Sequence, residues 1–84
     1  MTGQQEQELV ETLVAFGWRH EEDFQTLSIE AALTYANTDD EARKILDTLA
    51  ARKLIRPEMQ MGGALVANQP IPSARSRWVR GAQD

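Results

Sequence analysis

The chain has 84 residues and a net charge of −4, and 42% of its residues are hydrophobic and 26% charged. This length holds one core of ordinary composition and leaves no room for a second. The absence of cysteine excludes disulfides, thiolate metal sites and cysteine nucleophiles. No apolar run approaches the roughly 20 residues of a membrane helix, and the first residues are polar and acidic, unlike a signal peptide. We therefore expect a cytoplasmic protein with no membrane span.

Charge is distributed unevenly along the chain. Residues 1–41 carry ten acidic side chains and a single cation, Arg19, whereas residues 42–84 carry eight cations and three acids. A net acidic chain does not adhere non-specifically to nucleic acid. The basic C-terminal half nevertheless keeps nucleic-acid binding open as a function.

The N-terminal half predicts two helices. Apolar residues recur at helical spacing over about 5–17, which indicates an amphipathic helix that stops at Gly17. The tryptophan that follows is expected to pack back onto the core, and an acidic connector comes next. A second helix is predicted over about 28–36, with Ser28 or Thr26 as its N-cap.

A third helix is predicted over about 38–54 from a strong start signal. Thr38 and Glu41 have the spacing of a capping box, in which the threonine bonds forward and the glutamate reaches back. Asn37 precedes them and tolerates the left-handed conformation that ends a helix. The second and third helices are therefore expected to be joined by a tight turn.

The helical period is lost beyond residue 55, which predicts a β-hairpin. Apolar and polar residues alternate around Pro57, as is typical of an edge strand, and Met59 is a candidate for the core or for a partner surface. A second strand over 75–80 is expected to use Trp78 as its apolar anchor. Residues 62–74 are predicted to be a long mobile loop. Because an isolated hairpin is marginal in water, it should pack on the helices.

The predicted order is three helices and then two strands, a mainly α fold with a small β-hairpin (α+β). From Leu27 to Ile55, a helix rich in alanine and leucine, a capped turn and a longer leucine-rich helix follow one another. This stretch resembles the winged helix-turn-helix superfamily. The resemblance implies one domain over 1–84, with three helices and a two-stranded wing over about 55–80. Most members bind DNA and others bind proteins, so the fold leaves two functions open.

The first hypothesis is a DNA-binding regulator that places its third helix in the major groove and holds phosphates with a basic wing strand. The candidate contacts are basic or hydroxyl side chains of the C-terminal half: Arg43, Lys44, Thr48, Arg52, Lys53, Arg56, Arg75, Arg77 and Arg80. The first turn of the same helix carries three acids, Asp39, Asp40 and Glu41. They either repel DNA phosphates or only cap the helix and interact favourably with its dipole. Small regulators commonly dimerise to read two half-sites, so a homodimer is compatible with this hypothesis.

The second hypothesis is a protein-interaction module, an adaptor or an inhibitor, that docks its acidic N-terminal half on a basic partner surface. No enzymatic activity is expected, because the sequence has no cysteine, only one histidine and no glycine-rich phosphate loop. His20 and the acids after it do not have the spacing of a metal-ligand motif. No metal or other cofactor is therefore expected.

Overall fold

The computed structural model of the chain describes residues 1–60 and 74–81. The elements in chain order are α1 (Gly3–Ala15), β1 (Arg19–His20), α2 (Glu21–Leu33), α3 (Asp39–Ala51), β2 (Ile55–Gln60) and β3 (Arg75–Arg80). The strands form one antiparallel sheet in the order β1-β3-β2. The prediction of a mainly helical α+β fold is confirmed. The predicted mobile loop lies outside the described residues except for Ala74.

α1 begins two residues earlier than predicted because a capping box starts it. The Thr2 hydroxyl accepts from the Gln5 backbone N–H at 3.1 Å, and the Gln5 side-chain oxygen accepts from the Thr2 backbone N–H at 2.9 Å. The helix ends at Ala15, and Gly17 follows with a φ of 69°. Glycine adopts that left-handed backbone easily. The helix therefore ends just before Gly17, as predicted, because the chain leaves the helical conformation at this glycine.

α2 differs most from its prediction, since it begins at Glu21 and ends at Leu33. The residues predicted to be a connector form its first two turns, where three acids suit the positive end of the helix dipole. Ser28 is therefore not an N-cap but a buried residue in the middle of the helix. Its hydroxyl donates to the Phe24 carbonyl at 2.6 Å and accepts from Trp78 Nε1 at 2.7 Å.

α3 begins where its capping signal predicts. The Thr38 hydroxyl accepts from the Glu41 backbone N–H at 3.1 Å, whereas the Glu41 carboxylate accepts from the Asn37 backbone N–H at 2.8 Å. The glutamate thus reaches one residue further back than a standard capping box requires. Among the non-glycine residues of the described ranges, Lys53 alone has a positive φ, so the left-handed backbone expected at Asn37 is wrong.

α3 ends three residues before its predicted end, in a turn centred on Lys53. The Lys53 N–H donates to the Ala50 carbonyl at 2.9 Å, and the Leu54 N–H donates to the Leu49 carbonyl at 3.0 Å. With a φ of 63° at Lys53, these two bonds form a Schellman motif whose usual glycine is replaced by lysine. The chain therefore turns directly from α3 into β2.

Among the described residues the sheet has three strands: the predicted pair, β2 and β3, and β1, which was not predicted. β2 and β3 pair along their whole length, from Ile55 opposite Arg80 to Gln60 opposite Arg75. β1 adds two residues on the other side of β3, with His20 opposite Arg75. β2 is an edge strand, as its Pro57 indicates. A strand of two residues has no readable period, which is why the sequence did not reveal β1.

The core lies between the helices and one face of the sheet. Its largest fully buried side chains are Leu9, Leu13, Leu49 and Ile55. Trp78 is 9% exposed, and its ring centroid lies 5.0 Å from that of Phe24, so its role as anchor of β3 is confirmed. Met59 is 64% exposed and does not belong to the core. Within the described ranges, no helix has both the length and the apolarity to cross a membrane.

Candidate nucleic-acid interface

The candidate residues of α3 point in different directions. All four, Arg43, Lys44, Thr48 and Arg52, are exposed. An α-helix turns about 100° per residue, so Lys44 and Thr48 share one side while Arg43 and Arg52, nine positions apart, lie about 180° apart. The helix therefore does not present its basic residues as one continuous stripe.

The sheet register separates the other candidates into two ends of the hairpin. We call the end formed by Gln60 and Arg75 the hairpin tip, and the end formed by Ile55 and Arg80 the hairpin root. Lys53 and Arg56 lie at or near the root because they are within two residues of Ile55 in the chain.

Two cavities show which candidates from different elements are neighbours. A cavity of about 780 Å³ between the start of α1 and the hairpin root is lined by Arg52, Leu54 and Arg80. A groove of about 530 Å³ between α2, α3 and the hairpin is lined by Arg43 and Met59, among others. The structure thus brings Arg43 towards the side of the hairpin tip and places Arg52 with the root.

Four of the candidate arginines form ion pairs with carboxylates of the chain. Their N–O distances are 2.6 Å for Arg52–Glu6, 3.2 Å for Arg56–Glu58, 2.7 Å for Arg77–Glu58 and 3.7 Å for Arg80–Glu11. The other four basic candidates have no carboxylate within 4.0 Å among residues 1–60 and 74–81: Arg43, Lys44, Lys53 and Arg75. The basic candidates therefore differ more in whether they pair with a carboxylate than in how exposed they are.

Arg77 has the most defined surroundings of the candidates. Its Nε and Nη2 atoms both donate to Glu58 Oε1, at 2.9 and 2.7 Å. Its guanidinium carbon lies 4.5 Å from the ring centroid of Trp18, a cation–π contact. The Arg77 hydrogen bond lowers the pKa of Glu58 below its ordinary value. Trp18 is half-buried beneath Arg77 and lies outside the core cluster, so its predicted core position is wrong.

No signal in the sequence links Trp18 to Arg77. The two residues meet because β1 pairs with β3, and that pairing joins segments far apart in the chain. Glu58 was likewise no candidate, although β2 places it directly opposite Arg77. An alternating strand pattern predicts only which residues share a face, and not which strand lies alongside.

The exposed surface of α3 carries acids among its cations. Asp40 and Asp47, seven positions apart, share one side of the helix with Lys44 and face away from the buried residues. Carboxylates on this surface repel phosphates, although an acid can accept a hydrogen bond from cytosine N4. Electrostatic attraction of α3 to nucleic acid is therefore weak.

No protein-family model, curated protein or solved structure shows significant similarity to this chain. In the part of the chain that the structure describes, no three histidine, aspartate or glutamate side chains are grouped so that they could hold a metal ion. The candidate interface is accordingly defined by its own geometry: the exposed side of α3 together with the tip of the β2–β3 hairpin.

Proposed function

We propose that this chain is a winged helix-turn-helix module that binds duplex DNA, with α3 in the major groove and the hairpin tip against the phosphate backbone. The order of the elements supports the winged-helix assignment, because a short β1 precedes α2 and β3 lies between β1 and β2. The observation that carries the DNA function is the set of exposed cations on the α3 side and at the tip. Arg43, Lys44 and Arg75 have no carboxylate within 4.0 Å among the described residues.

This assignment gives the nine candidate residues different roles. Arg43, Lys44 and Arg75 contact DNA, and Thr48 on the same side as Lys44 supplies a hydroxyl. Lys53 lies at the far end of α3 and holds the turn into β2. The remaining four, Arg52, Arg56, Arg77 and Arg80, pair with carboxylates of the chain and are not assigned to DNA. Three phosphate contacts give a slope of log K against log salt of about −3, so binding is weak and sensitive to salt.

The proposal is tested by titrating isotope-labelled protein with mixed-sequence duplex DNA at about 50 and about 200 mM salt. We expect NMR shifts centred on Arg43, Lys44 and Arg75 that weaken steeply with salt. Arg43→Glu should reduce the affinity strongly. The matched control Arg80→Glu, at the hairpin root, should reduce it little. An absence of shifts even at the lower salt concentration overturns the proposal.

A second function has its own supporting observation. Glu22, Glu30, Asp40 and Asp47 are exposed on α2 and α3, on the two helices that a winged helix turns towards DNA. This distribution favours a protein-interaction module that docks its acidic surface on a basic partner.

One double variant, Asp40→Asn with Asp47→Asn, separates the two functions because they predict opposite effects. If α3 contacts DNA, removing two repulsive carboxylates should strengthen DNA binding at low salt. If α3 docks on a basic protein surface, wild-type protein should bind poly-lysine, the double variant should bind it more weakly, and neither should bind DNA.

A further inference from the structure

The face of the sheet that points away from the helices carries a distinct surface. We call it the outer sheet face, and the register of β2 and β3 assigns it six residues: Arg56, Glu58, Gln60, Arg75, Arg77 and Val79. The residues that alternate with them on β3 are buried, with Ser76 2% and Trp78 9% exposed. All six outward residues are exposed or half-exposed. This face shares only the hairpin tip, Gln60 and Arg75, with the surface assigned to DNA, and it includes no residue of α3.

The centre of the outer sheet face is held in one geometry. Glu58 binds Arg77 through one carboxylate oxygen and Arg56 through the other, at 2.7 and 3.2 Å. The Arg77 guanidinium also lies over the Trp18 ring, with its carbon 4.5 Å from the ring centroid. Side chains that are already ordered lose little entropy on binding, and tryptophan and arginine are the residues most enriched at the energetic centres of protein interfaces.

The outer sheet face is cationic and adjoins an acidic corner. It has three guanidinium groups and one carboxylate, although the chain as a whole has a net charge of −4. His20 lies opposite Arg75 in the sheet, and the exposed Glu22 and Asp23 follow within the first turn of α2. Positive and negative areas therefore lie side by side on one patch. Such a patch is complementary to itself under a two-fold rotation.

We propose that the outer sheet face binds a second copy of this chain in a two-fold symmetric dimer. Glu22 and Asp23 of each protomer meet Arg75 of the other, while Trp18 and Val79 contribute the apolar area. The partner is a second copy because the acidic complement of this cationic face is present in the same chain, next to it. The dimer uses no residue of α3, but it shares Arg75 with the proposed DNA contact, so DNA and a second copy compete for that one residue and the dimer is tested without DNA.

The dimer is tested by sedimentation equilibrium without DNA, at about 0.05 and about 0.5 M salt, a range over which the screening length shortens about threefold. The wild-type chain should be dimeric at the lower salt concentration and shift towards monomer at the higher one. Arg75→Glu and Glu22→Arg should each weaken the dimer at least tenfold. Combining the two substitutions should restore it, because the charges are exchanged across both symmetric contacts.

Arg43→Glu on α3 is the matched control, since it should weaken DNA binding and leave the dimer intact. Circular dichroism of each variant establishes that it is folded. A wild-type chain that stays monomeric at low salt overturns the dimer, and so does a folded charge-exchanged double variant that stays monomeric. A monomer that instead binds poly-glutamate through Arg75 also overturns it, because the partner would then be a different acidic chain.

Discussion

Substituting Gly81 with alanine tests how the end of β3 is attached to the turn after α3. Gly81 is buried, and its N–H donates to the Leu54 carbonyl at 3.0 Å. A Cβ atom at this position would lie 1.7 Å from the Lys53 carbonyl oxygen and 2.6 Å from its carbon, whereas real Cβ contacts stay above 3.0 Å. Because both atoms belong to the backbone, no rotamer change relieves the overlap, and the two segments must move apart by more than an ångström.

The cost follows from the two interactions that this movement disturbs. Overpacking a well-packed site costs typically about 1–3 kcal/mol, and losing the Gly81–Leu54 hydrogen bond costs about 0.5–1.5 kcal/mol. We therefore expect Gly81→Ala to lower the free energy of unfolding by about 2–4 kcal/mol. The core of a domain this small supplies only about 3–5 kcal/mol, so the variant should be close to unfolded at room temperature. Its Tm should fall by at least about 10 °C.

The assay is urea unfolding followed by tryptophan fluorescence, which reports on Trp78 in the core. Gly3→Ala is the matched control, because a Cβ at Gly3 meets nothing within 4 Å and alanine favours a helix by up to about 1 kcal/mol. The control should be as stable as the wild-type chain or slightly more stable. If Gly81→Ala unfolds at the same urea concentration as the wild-type chain, the packing of Gly81 against Lys53 is refuted.

Three further predictions concern single residues. Lys53→Gly should raise the free energy of unfolding by about 0.5–1 kcal/mol, measured as a higher urea midpoint, because glycine adopts the left-handed backbone without strain. Ser28→Ala should lower the free energy of unfolding by about 1–3 kcal/mol because the buried Trp78 N–H loses its acceptor. In a double-mutant cycle, the variant that combines Ser28→Ala with Trp78→Phe should lose less stability than the sum of the losses of the two single variants. The Arg77 hydrogen bond lowers the pKa of Glu58 below its ordinary value in the folded state. This carboxylate therefore stabilises the fold at pH values above its unfolded-state pKa, and the contribution is lost as the pH falls through the folded-state pKa. Glu58→Gln should therefore be less stable than wild type at pH 7, and urea titrations at successively lower pH should show this difference in stability shrinking.

Local signals in the sequence predicted much of the fold. The apolar period identified α1, the spacing of Thr38 and Glu41 identified the start of α3, and alternation around Pro57 identified β2 as an edge strand. Trp78 was identified as the anchor of β3 because it is the one large apolar side chain in a basic strand. Each of these signals depends on residues within a few positions of one another, and the structure confirms each of them.

The tertiary structure decided what depends on residues far apart in the chain. Glu21 begins α2 although the acids there read as a connector, because burial of Phe24 and Ser28 against Trp78 stabilises the first turns of that helix. β1 exists only because β3 provides its hydrogen-bonding partner. Which cations are available for a ligand was also decided by contacts such as Arg52–Glu6, which join residues 46 positions apart in the chain. An amino-acid sequence specifies where charges occur, but the distance between two charges, and so their interaction energy, is set only when the elements pack.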